Sequence, residues 1–511
     1  MMSEWIYALL IAPLAVSVAC FLINNSKNQP LCTALHVTGI VLTTIFALLV
    51  IKDVLVQGKI IAMGNWIYID SLSAIFIGLI GVVGSLAAIY SIGYMNQELA
   101  EGHVDFKTYA NYHSLLHLFF FTMLLSVTTN NIILMWVGIE ATTLSSAFLV
   151  GTYKQKTALE AAWKYIIICS VGVAFGLFGT ILTFADANHL LNDPTQAIFW
   201  SAIKEHAVNL NPSLMHIAFV FILIGFGTKC GLFPMHTWLP DAHSEAPSPV
   251  SAVLSAVLLN CAILVVLRYY ILVSQSVGES YGQTLFLVFG LISVAVAALF
   301  IIVQSDIKRM LAYSSIENMG LITFAFGLGG PIGMFAGLLH TIMHSLAKAL
   351  LFCASGNILL KYRSRDIQYV SGLWKTMPLT AVLFAGGALA LSGMPPFGMF
   401  VSEFAIVVAA ITSGNIWLAI LCLIFLTIAL GGLTTMLLKT VLGKPAEGVQ
   451  AGELNKLSVT VLAICLLSLF VVGIHIADPL LQLLTDAVGI ILSQDNVSFG
   501  ELLLPWQSVT H

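Results

Sequence analysis

Apolar runs of membrane-spanning length follow one another along almost the whole chain, separated by short polar stretches. A helix rises ~1.5 Å per residue, so ~20 apolar residues cross a hydrocarbon core ~30 Å thick. Fourteen such runs can be marked: near 4–24, 31–51, 70–93, 111–128, 130–150, 161–185, 213–235, 247–273, 283–303, 309–329, 331–358, 378–412, 415–438 and 456–479. The expected fold is an all-α polytopic membrane protein of about 14 transmembrane helices. The first run lacks a basic front and reads as a span, not a cleavable signal. Residues 480–511 read as a mixed tail, too polar for a further span.

Composition agrees. Only 9% of residues are charged and mean hydropathy is +0.98, whereas soluble domains carry about a quarter charged residues. A soluble enzyme and a disordered chain are excluded. The net charge of −4 gives no basic footprint, so no nucleic-acid partner is expected. The eight cysteines are scattered through apolar runs with no CxxC pair. They read as packing residues, and no metal or small-molecule cofactor is expected.

The basic residues sort by loop. Odd-numbered loops and their helix ends hold Lys27, Lys107, Lys154, Lys156, Lys164, Lys308, Arg309, Lys361, Arg363, Arg365, Lys375, Lys439, Lys444 and Lys456; even-numbered loops hold Lys52, Lys59 and Lys204. The odd loops are therefore expected in the cytoplasm, with both termini outside. The tail acids Asp478, Asp486, Asp495 and Glu501 fit that side. Lys229, Arg268 and Lys348 remain, inside apolar runs. Arg268 lies near an outer helix end, where its stem can snorkel to the interface. A charge near the bilayer centre costs ~2.5–3.5 kcal/mol on insertion scales, so Lys229 and Lys348 point to function.

Acids and imidazoles recur at similar depth. Glu140 sits mid-span in LMWVGIEATTLSSAFLV. Lys229 lies in FGTKCGLFPMHTWLPDAHSEAPSPV, a span interrupted by Gly225, Gly227, Gly231 and Pro234. A buried amine keeps its proton beside a carboxylate and releases it when the carboxylate withdraws. His236, Asp241, His243 and Glu245 follow and could gather protons, or serve as a solvated loop with helix caps. His340, His344 and Lys348 are spaced i, i+4, i+8 and share one helix face, as a proton wire requires. Glu403 follows the Pro395-Pro396 break, and Glu317 lies in YSSIENMG as a relay member or a packing partner.

The two broken spans, seventh and twelfth, are five apart. Interrupted spans at matching places point to an internal repeat, and an odd-numbered unit must be inverted in its second copy. The expected organisation is a three-span segment over 1–110, a first five-helix repeat over 111–273 (spans 4–8), an inverted repeat over 274–439 (spans 9–13), and a last span with its tail over 440–511. Lys229 and Glu403 are then pseudo-equivalent.

The segment KCGLFPMHTWLPDAHSEAPSPV, with SDIKRMLAYSSIENMG and the tryptophan-led span of Glu140, resembles the proton-conducting antiporter-like family. That family is shared by respiratory complex I, Mrp-type cation/proton antiporters and energy-converting membrane hydrogenases. EATTLSSAFLV, ALEAAWKYIIICSVGVAFGLFGT and SSIENMG look most like its hydrogenase 4 component F branch. With about 30 residues after the fourteenth span, the chain is expected to lack the long lateral helix of the largest complex I relative.

The resemblance implies that Glu140 is the family's fifth-span glutamate and Lys229 the seventh-span lysine paired with it. It implies that Lys164 either bridges that pair or anchors the interface, and that Glu403 is a twelfth-span acid. Asn260 and Asn318 stand where relatives carry lysine and histidine, and an amide cannot titrate at neutral pH. The expected relay is Glu140, Lys164, Lys229, His340, His344, Lys348, Glu317 and Glu403. The expected function is proton translocation within a hydrogenase or complex I-like redox assembly in a bacterial or archaeal inner membrane. The expected partners are its other membrane subunits and the lipid bilayer. The rival functions are an Mrp-type Na⁺/H⁺ antiporter subunit and a non-pumping scaffold.

Overall fold

In the computed structural model, the residues described are 4–23, 28–446, 448–494 and 497. Lys27, Asp495 and Glu501 lie outside them. The helices are α1 (Trp5–Phe21), α2 (Gln29–Gln57), α3 (Ser71–Ala100), α4 (Phe106–Thr128), α5 (Ile132–Val150) and α6 (Lys156–Leu191). Then come α7 (Pro212–Cys230), α8 (Trp238–Glu245), α9 (Ser248–Ser276), α10 (Glu279–Val303), α11 (Ile307–Leu328) and α12 (Gly330–Tyr362). The last are α13 (Pro378–Leu391), α14 (Gly398–Thr412), α15 (Ile416–Leu442), α16 (Lys456–Ile474) and α17 (Asp478–Leu492).

Among the described residues, 11 helices are long and apolar enough to cross a membrane. Helices α1, α13 and α14 are apolar but shorter. Helix α11 has 22 residues but carries Lys308, Arg309 and Glu317. The protein is an integral membrane protein.

Side chains before the helices set where they start. Asp70, Asp105, Asn131 and Asp306 each accept a backbone N–H from the first turn that follows, at 2.8–3.0 Å. Those first-turn donors have no partner inside the helix. Glycines set how closely helices approach. A Cβ on Gly225 of α7 would lie 2.2 Å from the Gly176 backbone nitrogen on α6. Helix α7 runs unbroken through Gly225 and Gly227, so Gly225 serves helix contact rather than interruption.

Both anticipated breaks are present. Helix α7 stops at Gly231, whose φ is +76°, and α8 begins at Trp238. Residues 392–397 separate α13 from α14. Three features depart from expectation. A two-stranded antiparallel hairpin, β1 (Lys59–Ala62) with β2 (Ile67–Asp70), interrupts the all-α pattern. Single π-helical turns lie at Leu79–Gly84 and Leu254–Leu258. The tail contains α17, whose Leu484, Ala487 and Val488 pack inward. Helix α12 is buried along most of its length and forms the centre of the bundle.

Candidate functional site

Lys229 sits in the last turn of α7 and is fully buried. Its Nζ donates to the Tyr165 hydroxyl at 2.6 Å and lies 4.5 Å from that ring's centroid. Trp238, the first residue of α8, packs on Tyr165 at 4.7 Å and donates its indole N–H to the Thr228 carbonyl. The helix break therefore folds an aromatic lid over the amine. The Tyr165 hydroxyl also lies 2.6 Å from Ser146 Oγ on α5.

Glu140 on α5 is half-buried. Its Oε1 accepts from Ser170 Oγ at 2.7 Å, and Oε2 has no hydrogen-bond partner. Glu140 and Lys229 share no direct bond. Each is held by a hydroxyl of α6, Ser170 for the acid and Tyr165 for the amine. Composition and charge sorting passed over both hydroxyls, because they sit uncharged in an apolar run.

Lys164 does not bridge this pair. Its side chain is 48% exposed, bonded to Glu160 at 2.7 Å and Asp241 at 3.3 Å. The Lys164 ammonium thus sits with these two acids, away from Glu140 and Lys229. The loop cluster near it divides. Asp241 pairs with Arg309 at 2.7 Å and Glu245 with Arg365 at 3.0 Å. His243 points inward instead, fully buried against Phe352.

His340, His344 and Lys348 lie along α12, all fully buried. His340 Nδ1 lies 2.9 Å from Ser402 Oγ, and its Nε2 lies 3.0 Å from Asn318 Oδ1. Asn318 donates to the Ser314 carbonyl, and Ser314 Oγ accepts from Lys348 Nζ at 2.5 Å. Lys348 also donates to the Leu311 carbonyl at 2.9 Å. Asn318, which cannot titrate, is thus a hydrogen-bonding link between the histidine and the lysine. Asn260 donates to Ser345 Oγ on the same central helix. His344 is fully buried between His340 and Lys348, one turn from each along α12.

Glu317 is buried on α11 and interacts electrostatically with Lys348. Glu403 follows Ser402 on α14 and packs against Gly393 in the helix break, where a Cβ would lie 1.9 Å from its Oε2. Gly393 also has φ of +65°, a conformation that favours glycine. The break therefore makes room for the acid. Among the described residues, no hydrogen bond joins the Lys229 group to the α12 group.

Arg268, the third cation inside an apolar run, departs from expectation. Arg268 does not snorkel. It is 2% exposed and its guanidinium donates to both Asp70 oxygens, at 2.7 and 2.6 Å, and to Ser73 Oγ at 2.8 Å. Trp200 stacks on it at 4.3 Å. Strand β2 and the short helix Trp200–Glu205 close over this end of α9 and make it an interior.

A family profile described as NADH:quinone oxidoreductase/Mrp antiporter, TM, matches residues 129–470. A second, described as NADH-Ubiquinone oxidoreductase (complex I), chain 5 N-terminus, matches residues 62–107. The chain is 43% identical over 382 residues to the Hydrogenase-4 component F homolog of Methylacidiphilum infernorum (isolate V4), covering 75% of this chain and 80% of that protein. It is 31% identical over 384 residues to the Na(+)/H(+) antiporter subunit A1 of Staphylococcus aureus (strain bovine RF122 / ET3-1), covering 70% of this chain and 45% of the relative. The match thus spans less than half of that antiporter subunit. A chain of the membrane-bound sulfane sulfur reductase, an archaeal respiratory membrane complex, superposes with TM-score 0.85 at 27% identity, covering 96% of this chain and 98% of that one. This chain belongs to the NADH:quinone oxidoreductase/Mrp antiporter membrane family.

Proposed function

We propose that the chain is a proton-translocating membrane subunit of a hydrogenase or complex I-like redox assembly. The similarity to the hydrogenase-4 homolog supports the choice of assembly. One observation carries the mechanism: Lys229 is fully buried, yet a hydroxyl rather than a carboxylate holds it. Such an amine can change protonation when a nearby charge moves, which a bidentate ion pair resists.

In this reading the fold comprises fourteen spans. Helices α1, α11 and the broken α13–α14 supply those beyond the 11 long apolar ones. Spans 4–8 and 9–13 are inverted copies, with the segment boundaries drawn from sequence. The odd-loop face is cytoplasmic, the termini lie outside, and the membrane is a bacterial or archaeal inner membrane. Other membrane subunits bind its flanks and supply redox energy.

A proton arrives at Lys229 from the cytoplasm. Movement of the Glu140 charge, transmitted through Ser170 and Tyr165 on α6, releases it. In this reading the buried imidazole of His243 passes the proton between the two groups. The proton then passes along His344, Lys348 and His340 to Glu403, with Glu317 biasing Lys348. Lys164 acts at the surface, where it gathers charge near Asp241.

Similarity to the antiporter subunit favours a second reading, exchange of Na⁺ for H⁺. Proton uptake in inside-out vesicles holding the native complex tests both. Lys229→Ala should abolish uptake, and undiminished uptake would refute the relay. Uptake that requires Na⁺ would favour the exchanger.

A further inference from the structure

The relay leaves unused three histidines in the first helices. His36 on α2 and His113 and His117 on α4 are all fully buried. The ring of His36 lies 4.1 Å from that of His113 and 5.0 Å from that of His117. His36 Nε2 lies 3.1 Å from the Ala88 carbonyl, and His36 Nδ1 lies 2.9 Å from His117 Nε2. A carbonyl only accepts, so His36 Nε2 carries hydrogen. In neutral His36, Nδ1 is then an acceptor, and His117 Nε2–H must donate to it. That leaves His117 Nδ1 as a bare lone pair without a bonded partner.

The surroundings are built for this pair. A Cβ on Gly39 would lie 2.5 Å from His117 Cε1, so the glycine admits the imidazole. Both nitrogens of His113 are also buried without a bonded partner. Buried polar groups are rarely left unpaired, so each such group calls for a reason. Titratable neighbours are Tyr109 and Tyr112 on α4, against His113 at 4.6 and 5.3 Å. Tyr90 and Tyr94 on α3 and Cys353 on α12 interact with Tyr112, and Cys20 and Cys32 on α1 and α2 with Tyr109. Among the described residues, no carboxylate, lysine or arginine bonds to the three imidazoles.

The cluster also has a route inward. A cavity of about 320 Å³ opens on the odd-loop face, lined by Tyr94, Glu98, His103, Tyr153 and Arg363. Tyr94 and Tyr153 hydroxyls lie 2.8 Å apart at its wall. Ser91 lies one turn further along α3, with its Oγ 3.4 Å from His36 Nε2. Starting from the cavity, the polar groups run through Tyr94, Tyr112 and Ser91 to the imidazoles.

We propose that His36, His113 and His117 form a second proton-loading site, filled from the odd-loop face and separate from Lys229. A proton adds to His117 Nδ1, forming an N–H bond. The Nε2 proton then shifts across the hydrogen bond to His36 Nδ1, so the pair shares one charge. No electron moves. Proton binding stands independently of the translocation reading, while its use in transport rests on that reading.

The test is ¹⁵N solid-state NMR of the histidine-labelled full chain in lipid. A neutral, hydrogen-bonded imidazole pair should convert to a shared imidazolium as the pH falls. His117→Gln should remove that conversion. His113→Gln, which breaks no hydrogen bond, should shift it, so it assigns the signals if His117→Gln does not fold. Signals that stay neutral at every pH where the chain stays folded would overturn the proposal. Vesicle uptake by Lys229→Ala separates the two ideas, because normal uptake there refutes the relay and leaves the NMR result standing.

Discussion

Arg268 and Lys229 are both cations inside the membrane protein, and their partners could hardly differ more. Arg268 is clamped by both oxygens of Asp70. Lys229 leans on one tyrosine hydroxyl, with its acid a helix away. A bidentate pair fixes geometry and charge together. A hydroxyl satisfies an amine's hydrogen bond without fixing its charge. Burial alone therefore does not mark a proton carrier. The partner does.

Substitutions can break this contrast, and the largest effect belongs to Lys229. Lys229→Ala should reduce proton movement to background while leaving the chain folded, as detergent unfolding would show. Next is Asp70→Asn, which leaves a buried guanidinium uncompensated. It should destabilise the chain by about 3–5 kcal/mol, read by unfolding in mixed detergents. Tyr165→Phe removes a hydrogen bond from the buried Lys229 amine; it should lower stability by roughly 1.5–3 kcal/mol, less than Asp70→Asn, and slow proton movement about tenfold. The smallest effect is expected from Asp70→Leu with Arg268→Met. Removing both charges should be nearly neutral compared with either single change, and a double-mutant cycle measures this.

The same contrast has a pH signature. Burial opposes the Asp70 carboxylate, but Arg268 and the Ser73 N–H outweigh it and hold Asp70 below the usual carboxylate range. Its contribution to stability is complete above the unfolded value of about 3.9 and is lost as pH falls through the lower folded value. The stability gap between wild type and Asp70→Asn should therefore persist at neutral pH and close only in strong acid.

Much of this was legible in the sequence. Apolar runs placed the helices, and Gly231 and Pro395-Pro396 marked the two breaks. Lys229, Lys348 and the i, i+4 histidines of α12 stood out because ions in apolar runs are costly. What stayed hidden depended on long-range pairing. Asp70 is 198 residues from Arg268, and nothing local signals that the last residue of β2 will cap α3 and also hold an arginine. Ser170 and Tyr165 carry no charge, so the sorting that found Lys229 passed over the groups that hold it. His113 and His117 were within reach, since their i, i+4 spacing is the one that singled out His340 and His344. The hairpin at 59–70 was missed because its strands are only four residues each.

The central claim is that the hydroxyl-held lysine moves the proton and the clamped arginine does not. Proton uptake by the native complex in inside-out vesicles, compared between Lys229→Met and the Asp70→Leu/Arg268→Met double variant, tests it most directly. The account predicts that uptake vanishes in the first and stays near wild type in the second. Preserved uptake in Lys229→Met would contradict it.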